Sequence, residues 1–358
     1  MKKYHGIQIL RFAAASLVVA EHLIGNVVNH WANAGHYEVP PLGLIGVIVF
    51  FGISGFIMVT TQYDAFGSVA KSADFFFRRV LRILPVYAIA TTMQFINKFN
   101  AGEHYTIVNY FKSLLFVPYI GDKGFYRPIL GQGWTLNLEM FFYLVFALSL
   151  ILPRMGGMAL SIAVFVAFAA THSYAAEMNV VLAFYMQQIL LFFACGMLIA
   201  TLCKHVHWRS ASVASPLGIC LALMAGGIWV NLYLPEGAHL AYNLVMVSAC
   251  VWAAASYQPV HTGKTVAILE RLGDASFSTY LFHGFMLGAI KFLSYRTEEG
   301  QWLKFALLLA SAVILANLVG LLMYRFVEHP IARLLKGWTQ KPHTAQSKPP
   351  QQTAKSRA

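Results

Sequence analysis

Mostly apolar stretches of sixteen to twenty-five residues recur ten times along the chain, at 7–25, 42–62, 80–97, 134–153, 157–172, 182–203, 213–233, 239–257, 275–294 and 302–326. A bilayer core about 30 Å thick is crossed by about 20 apolar residues in helical form. The sequence therefore reads as an all-α integral membrane protein, a polytopic bundle of about ten transmembrane helices. Composition supports this, because only 11% of the 358 residues are charged, against about 25% in soluble domains. Membrane lipids are thus its first partners.

The net charge of +12 invites comparison with nucleic-acid binders. Here, however, the lysines and arginines lie at the ends of apolar segments rather than on one soluble face, so they read as topology charge and no nucleic-acid partner is expected. Short loops rich in Lys and Arg stay in the cytoplasm. With the amino terminus placed inside, 17 basic residues fall on the cytoplasmic side and 7 on the other. An even number of spans puts both termini in the cytoplasm.

Lys2, Lys3 and the following apolar run imitate a signal peptide, yet Glu21 and His22 stand where small residues of a cleavage site belong, so the segment reads as an uncleaved first span. Residues 1–338 form one membrane domain, and 339–358 form a basic tail too polar to fold. No inverted repeat of the transporter kind is visible. Cys195, Cys203, Cys220 and Cys250 have no zinc-ligand spacing and read as small buried side chains, so no metal is expected. The longest connection, about 98–133, holds the aromatic, Gly- and Pro-rich run FVPYIGDKGFYRPILGQGW. Any part of it at membrane depth must be covered by protein.

Ionisable side chains inside spans cost a few kcal/mol and usually face the bundle interior, where they are functional by default. Arg11 and His22 lie eleven residues apart, which brings them within about 20° of one helix face and separates them by about 16 Å. An arginine near the cytoplasmic end suits a phosphate-bearing ligand, and a deeper histidine suits proton transfer near neutral pH. The plainer readings are a snorkelling arginine and a structural histidine. Arg78, Arg79 and Arg82 open the third span, where topology explains basic residues but not their tight spacing. Glu139 and Tyr143 share a face four residues apart, following Trp134; Arg11 looks too deep to partner that carboxylate. Tyr280 and His283 are i, i+3 neighbours, a pairing that also suits a core histidine. Glu328, before Pro330, reads as a salt-bridge partner among arginines.

Taken in order, these segments resemble the bacterial acyltransferase-3 family over nearly the whole chain. Its first-span Arg, ten residues, His matches Arg11 and His22; its Arg-x-x-Arg matches Arg79 and Arg82; its Phe-Phe-x-x-Ser-Gly-Phe matches Phe50, Phe51, Ser54, Gly55 and Phe56. Its Trp-Ser-Leu-x-x-Glu-x-x-Phe-Tyr element matches Trp134, Glu139, Phe142 and Tyr143, with Thr135 for Ser and Met140 where a second acid is common, which speaks against a carboxylate dyad. Tyr280, Leu281 and His283 match its Tyr-Leu-x-His, and Glu328 with Pro330 its closing Glu-x-Pro. GIQILRF and FFGISGFIM look like the stand-alone branch that modifies secreted exopolysaccharides; other members act on lipopolysaccharide O-antigen, peptidoglycan or antibiotics.

The resemblance implies an acetyl-CoA-dependent O-acetyltransferase of the bacterial cytoplasmic (inner) membrane. Cytoplasmic acyl-CoA is then a co-substrate rather than a bound cofactor, and the acceptor is a carbohydrate or lipid-linked glycan on the opposite side. Arg79 and Arg82, with Arg11, would hold the donor's phosphates. His22 would act as general base or as nucleophile, Glu139 would orient it or bind sugar, and His283 would stabilise the oxyanion. Trp134, Tyr143, Tyr280 and Glu328 complete the expected binding set. Acetyl against succinyl and self-association as a homo-oligomer stay open. A proton-coupled carbohydrate or drug transporter would also want buried Arg, His and Glu. A glycan polymerase or ligase would want basic residues at a membrane surface, but on the other side. With both termini inside, a carboxy-terminal green fluorescent protein fusion is expected to fluoresce, and an alkaline phosphatase fusion at the same point to be inactive.

Overall fold

The computed structural model describes residues 4–31, 38–103, 105–121, 124, 126–206, 210, 212–259, 263–298 and 300–339. Except for residue 339, the tail expected at 339–358 lies outside the described residues. Fifteen α-helices run through the described residues: α1 His5–Trp31, α2 Leu42–Gln62, α3 Val69–Asn100, α4 Ile107–Leu114, α5 Gly133–Leu150, α6 Arg154–Ala170, α7 Val180–Tyr185, α8 Leu191–His205, α9 Ala214–Tyr233, α10 Glu236–Ser256, α11 Lys264–Asp274, α12 Ser276–Ala289, α13 Lys291–Tyr295, α14 Trp302–Met323 and α15 His329–Thr339. Two isolated bridges are the only β pairing there.

Eight helices are by themselves long and apolar enough to cross a membrane. The other two expected spans are present as shorter helices. One is α6, of 17 residues, and the other is α12, of 14 residues, continued after a turn at Ile290 by α13. The span expected at 182–203 is interrupted, because Gln187 is extended and separates α7 from the longer helix Gln188–His205.

Packing distinguishes a centre from a rim. In α2 and α5, 72% of the apolar window is buried inside the protein, against 28% in α3, α9 and α14. The first two are therefore core helices, and the rest offer their outer faces to lipid. The centre is set by the approach of α2 to α8, where glycines let the backbones touch. A methyl group on Gly196 would meet the carbonyl of Gly52 and stand 2.8 Å from the amide nitrogen of Phe56, and one on Gly55 would meet the carbonyl of Phe193. Around this seam Phe51 and Phe142 stack on Phe193, with ring centroids 4.4 and 4.3 Å away. Helix α1 packs against α2, α10, α11, α12 and α14 and so threads the bundle from end to end.

Two irregular pieces position the site. The connection from α3 to α5 is packed rather than loose. Ser113 is buried, contacts the Tyr119 hydroxyl at 3.0 Å and accepts the Ile129 N–H at 3.1 Å. Phe116, whose φ of 56° is rare for a non-glycine residue, stacks on Tyr87 at 5.1 Å. At the far end, Tyr324–Glu328 forms a π turn in which the His329 N–H bonds to the Tyr324 carbonyl. Pro330, which has no N–H to give, follows directly, and a proline there disturbs the carbonyl four residues earlier. The wider turn is how the helix absorbs that disturbance.

Gly196→Val should force α8 away from α2, costing at least the roughly 1–3 kcal/mol of ordinary overpacking. Thermal unfolding of the detergent-solubilised protein is expected to fall by several degrees or the protein to fail to accumulate, whereas Gly218→Val, in open space on α9, should leave both unchanged.

Candidate active site

A cleft enclosing about 860 Å³ of empty space, part of it open to the outside, lies between α1, α2, α3, α5 and α12. Its charged lining is Arg11 from α1, Arg79 and Arg82 from α3 and Glu139 from α5. Helix α3 begins at Ser68, whose hydroxyl accepts the Lys71 N–H at 3.3 Å. From that start Arg79 and Arg82, about 60° apart around the axis, both reach the cleft. Arg78 instead forms an ion pair with Asp74 one turn back on the same helix.

The three cleft arginines are left without an acidic partner. Among the described residues no carboxylate lies within ion-pair distance of Arg11, Arg79 or Arg82. Among the described residues Arg11 donates only to the Gln8 side-chain oxygen, at 3.4 Å. Arg79 lies over the rings of Phe75 and Tyr143, 5.5 and 5.6 Å from their centroids, which stabilises a cation without neutralising it. Positive charge thus converges on a cleft whose remaining wall is largely Val, Ile, Phe and Met. Such an arrangement is costly in an apolar bundle and suits a multiply charged anion.

Glu139 belongs to the same cleft but is occupied. Its carboxylate accepts the Ser54 hydroxyl at 3.1 Å and the hydroxyl of Tyr143, one turn along α5. No hydrogen bond joins it to His22. Tyr280 donates to the Gln132 carbonyl at 3.2 Å and shares a 2.7 Å bond with Thr135, tying α12 to the start of α5. The hydroxyl is what matters at position 135, so threonine serves there as serine would. Trp134 is half-buried against the core and is not among the residues lining the cleft.

His22 and His283 lie beyond the Tyr280 end. Their rings meet edge to face with centroids 4.9 Å apart, and His283 stands 6.1 Å from the Tyr280 ring. Each donates Nδ1–H to a carbonyl of its own helix, His22 to Val18 at 2.8 Å and His283 to Tyr280 at 2.7 Å. These bonds assign the tautomer and leave the lone pair on Nε2. In His283 that atom is buried with no partner among the described residues; in His22 the residue is exposed. A neutral His283 held in this way accepts at Nε2, so it stabilises an oxyanion only when protonated.

Glu328, expected as a salt-bridge partner of arginine, is buried and instead accepts the Ser278 hydroxyl at 2.6 Å. The π turn carries it beneath α12, away from the cleft lining. The charges of Arg82 and Arg11 act on it from beyond contact distance. Sequence reasoning missed Gln132, whose amide nitrogen lies where a methyl on Gly284 would be 2.9 Å away. That is one residue beyond His283. A polar residue before the glycine that opens α5 was its only signal.

The comparisons with known proteins agree with this geometry. The profile of the acyltransferase-3 family, described as an acyltransferase domain, matches residues 4–324. The exopolysaccharide production protein ExoZ of Rhizobium meliloti (strain 1021) is 32% identical, over 84% of this chain and 92% of its own. The acyltransferase MdmB of Streptomyces mycarofaciens is 26% identical over 91% of each. No solved structure matches. A family match that spans eight membrane-length helices, the arginine cleft and the paired histidines makes the chain a multi-pass membrane acyltransferase: it belongs to the acyltransferase-3 family.

Proposed function

We propose that the protein transfers an acetyl group from cytoplasmic acetyl-CoA, across the inner membrane, to a hydroxyl of an exported exopolysaccharide. The observation that carries this reading is the pairing of three cleft arginines that have no ion-pair partner among the described residues with an imidazole, His22, that lies beyond the Tyr280 end of the cleft on the same helix as Arg11 and has its Nε2 free. The 3′-phosphate and diphosphate of coenzyme A are the kind of anion that Arg11, Arg79 and Arg82 would neutralise. From Arg11 to His22 along α1 is about 16 Å, a distance suited to an extended pantetheine arm. The largely apolar wall of the cleft suits that arm. The kinship with ExoZ, an exopolysaccharide production protein, supports the acceptor class.

In the reaction His22 Nε2 takes the proton of the sugar hydroxyl as its oxygen attacks the thioester carbonyl. The tetrahedral intermediate collapses by breaking the C–S bond, and the departing thiolate recovers the proton from the imidazolium. Val18, by holding Nδ1–H, keeps the ring in the tautomer that this step needs. His283, edge to face with it, fixes its orientation.

Removing the base should cost about 10²–10⁴-fold. His22→Ala, expressed at wild-type level in a deletion strain, is therefore expected to leave no O-acetyl signal in proton NMR of the isolated glycan. An unchanged O-acetyl content on deletion of the protein would refute the reading. A stoichiometric burst of CoA from wild type without acceptor, with acetyl retained on His22, would make the histidine a nucleophile instead.

Loss of one charge-assisted contact to a phosphate costs about 1.5–3 kcal/mol, or roughly 10- to 150-fold. Arg79→Ala and Arg82→Ala should each raise KM for acetyl-CoA by that factor with a smaller change in kcat. Equal losses in kcat with KM untouched would place the arginines outside donor binding.

A further inference from the structure

Beyond His22, α1 continues for two more turns, and its polar residues there are unexplained by donor binding or by the acyl transfer step. Asn26 and Asn29 lie one and two turns past His22, within about 40° and 20° of its face, and His30 follows. With Lys291 and Tyr295 of α13 they line a second cavity of about 600 Å³ of empty space, partly open to the outside. Its lining is polar. No hydrogen bond from either asparagine side chain to another described residue is present, and Asn29, His30 and Lys291 are exposed.

The frame around this groove is fixed. Trp31 donates its indole N–H to the Thr297 carbonyl at 2.6 Å, and its ring meets Trp302 and Phe305 with centroids 5.7 and 5.6 Å away. Those contacts bind the end of α1 to α14 and to the segment after α13. Tyr295, half in the open, has the His30 ring at 5.0 Å and the Lys291 ammonium at 5.3 Å from its own centroid.

We infer that this groove, lined by Asn26, Asn29, His30, Lys291 and Tyr295, is the acceptor subsite, and that it holds one pyranose ring of the glycan with a hydroxyl directed toward His22. The inference rests on the acyltransfer reading above and deepens it. Each asparagine presents a carbonyl and an NH₂ and can bridge two neighbouring sugar hydroxyls. Lys291 adds N–H donors, and the exposed tyrosine ring offers a flat face for the axial C–H bonds of a pyranose. A groove that served lipid tails would be apolar. The continuity with His22 along one helix face puts a sugar bound here next to the base, on the side of His22 opposite the arginines.

The test uses purified full-length protein, acetyl-CoA and, as acceptor probe, de-O-acetylated polysaccharide isolated from the deletion strain. Asn26→Ala with Asn29→Ala, and separately Tyr295→Ala, should raise KM for the glycan at least tenfold. KM for acetyl-CoA should stay at the wild-type value, which also shows that the variants are folded. Tyr295→Phe should behave as wild type, since the ring is what matters. Variants with a wild-type glycan KM would overturn the inference while leaving acyl transfer intact, as would a loss reversed by adding anionic lipid. Wild-type protein that neither releases CoA nor acetylates this glycan would instead overturn the acyltransfer reading itself.

Discussion

Positive charge gathered at a largely apolar cleft with no ion-pair partner among the described residues is the constraint around which the rest of the molecule is arranged. A cation drawn out of water costs free energy unless something compensates it, and Arg11 and Arg79 are half-buried while Arg82 stays exposed. Around Arg11, Arg79 and Arg82 the compensation within the chain is partial: two aromatic rings under Arg79, an amide oxygen at Arg11, and Glu139 and Glu328 at longer range. The nearby carboxylates are kept from closing the ion pairs. Tyr143 and Ser54 occupy Glu139, and Ser278 occupies Glu328. The arginines thus keep their charge turned toward the cleft. Holding them there demands a rigid bundle, which the touching backbones at Gly52, Gly55 and Gly196 supply.

Beyond the Tyr280 end of the cleft the two histidines are held with the same economy of partners. Both histidines spend one nitrogen on a carbonyl of their own helix and keep the other free. A helical residue bonded to the carbonyl three or four positions back is fixed in ring plane and tautomer without needing a carboxylate. Glu139 makes its hydrogen bonds to Ser54 and Tyr143 and none to His22. The carboxylate instead joins α2 and α5 at the cleft, where it also faces the arginines.

Much of this was legible in the sequence, because span length and helical periodicity are one-dimensional properties. The ten apolar stretches, the common face of Arg11 and His22, and the adjoining turns of Arg79 and Arg82 all follow from spacing. What the sequence hid depended on how helices meet. The 4.9 Å contact of His22 with His283 joins α1 to α12, residues 261 positions apart. The Glu139 bond to Ser54 joins α5 to α2. Trp134 belongs to a motif-like run, yet helical rotation sends it to the core rather than the cleft. The breaks at Gln187 and Ile290 were invisible to hydropathy, which averages over a window and does not register one extended residue among apolar neighbours.

Helix α1 links these regions in a way that no set of loops could. It is 27 residues long, or about 40 Å, longer than the hydrocarbon core it crosses. Along one face it carries a cation, then the imidazole, then two amides, so their order is written into a single rigid rod. Loops carrying the same residues would let them drift apart, whereas a helix fixes their spacing along its axis. The packing of α1 against α2, α10, α11, α12 and α14 holds that rod against tilting, so that Arg11, His22 and Asn26 keep constant separations.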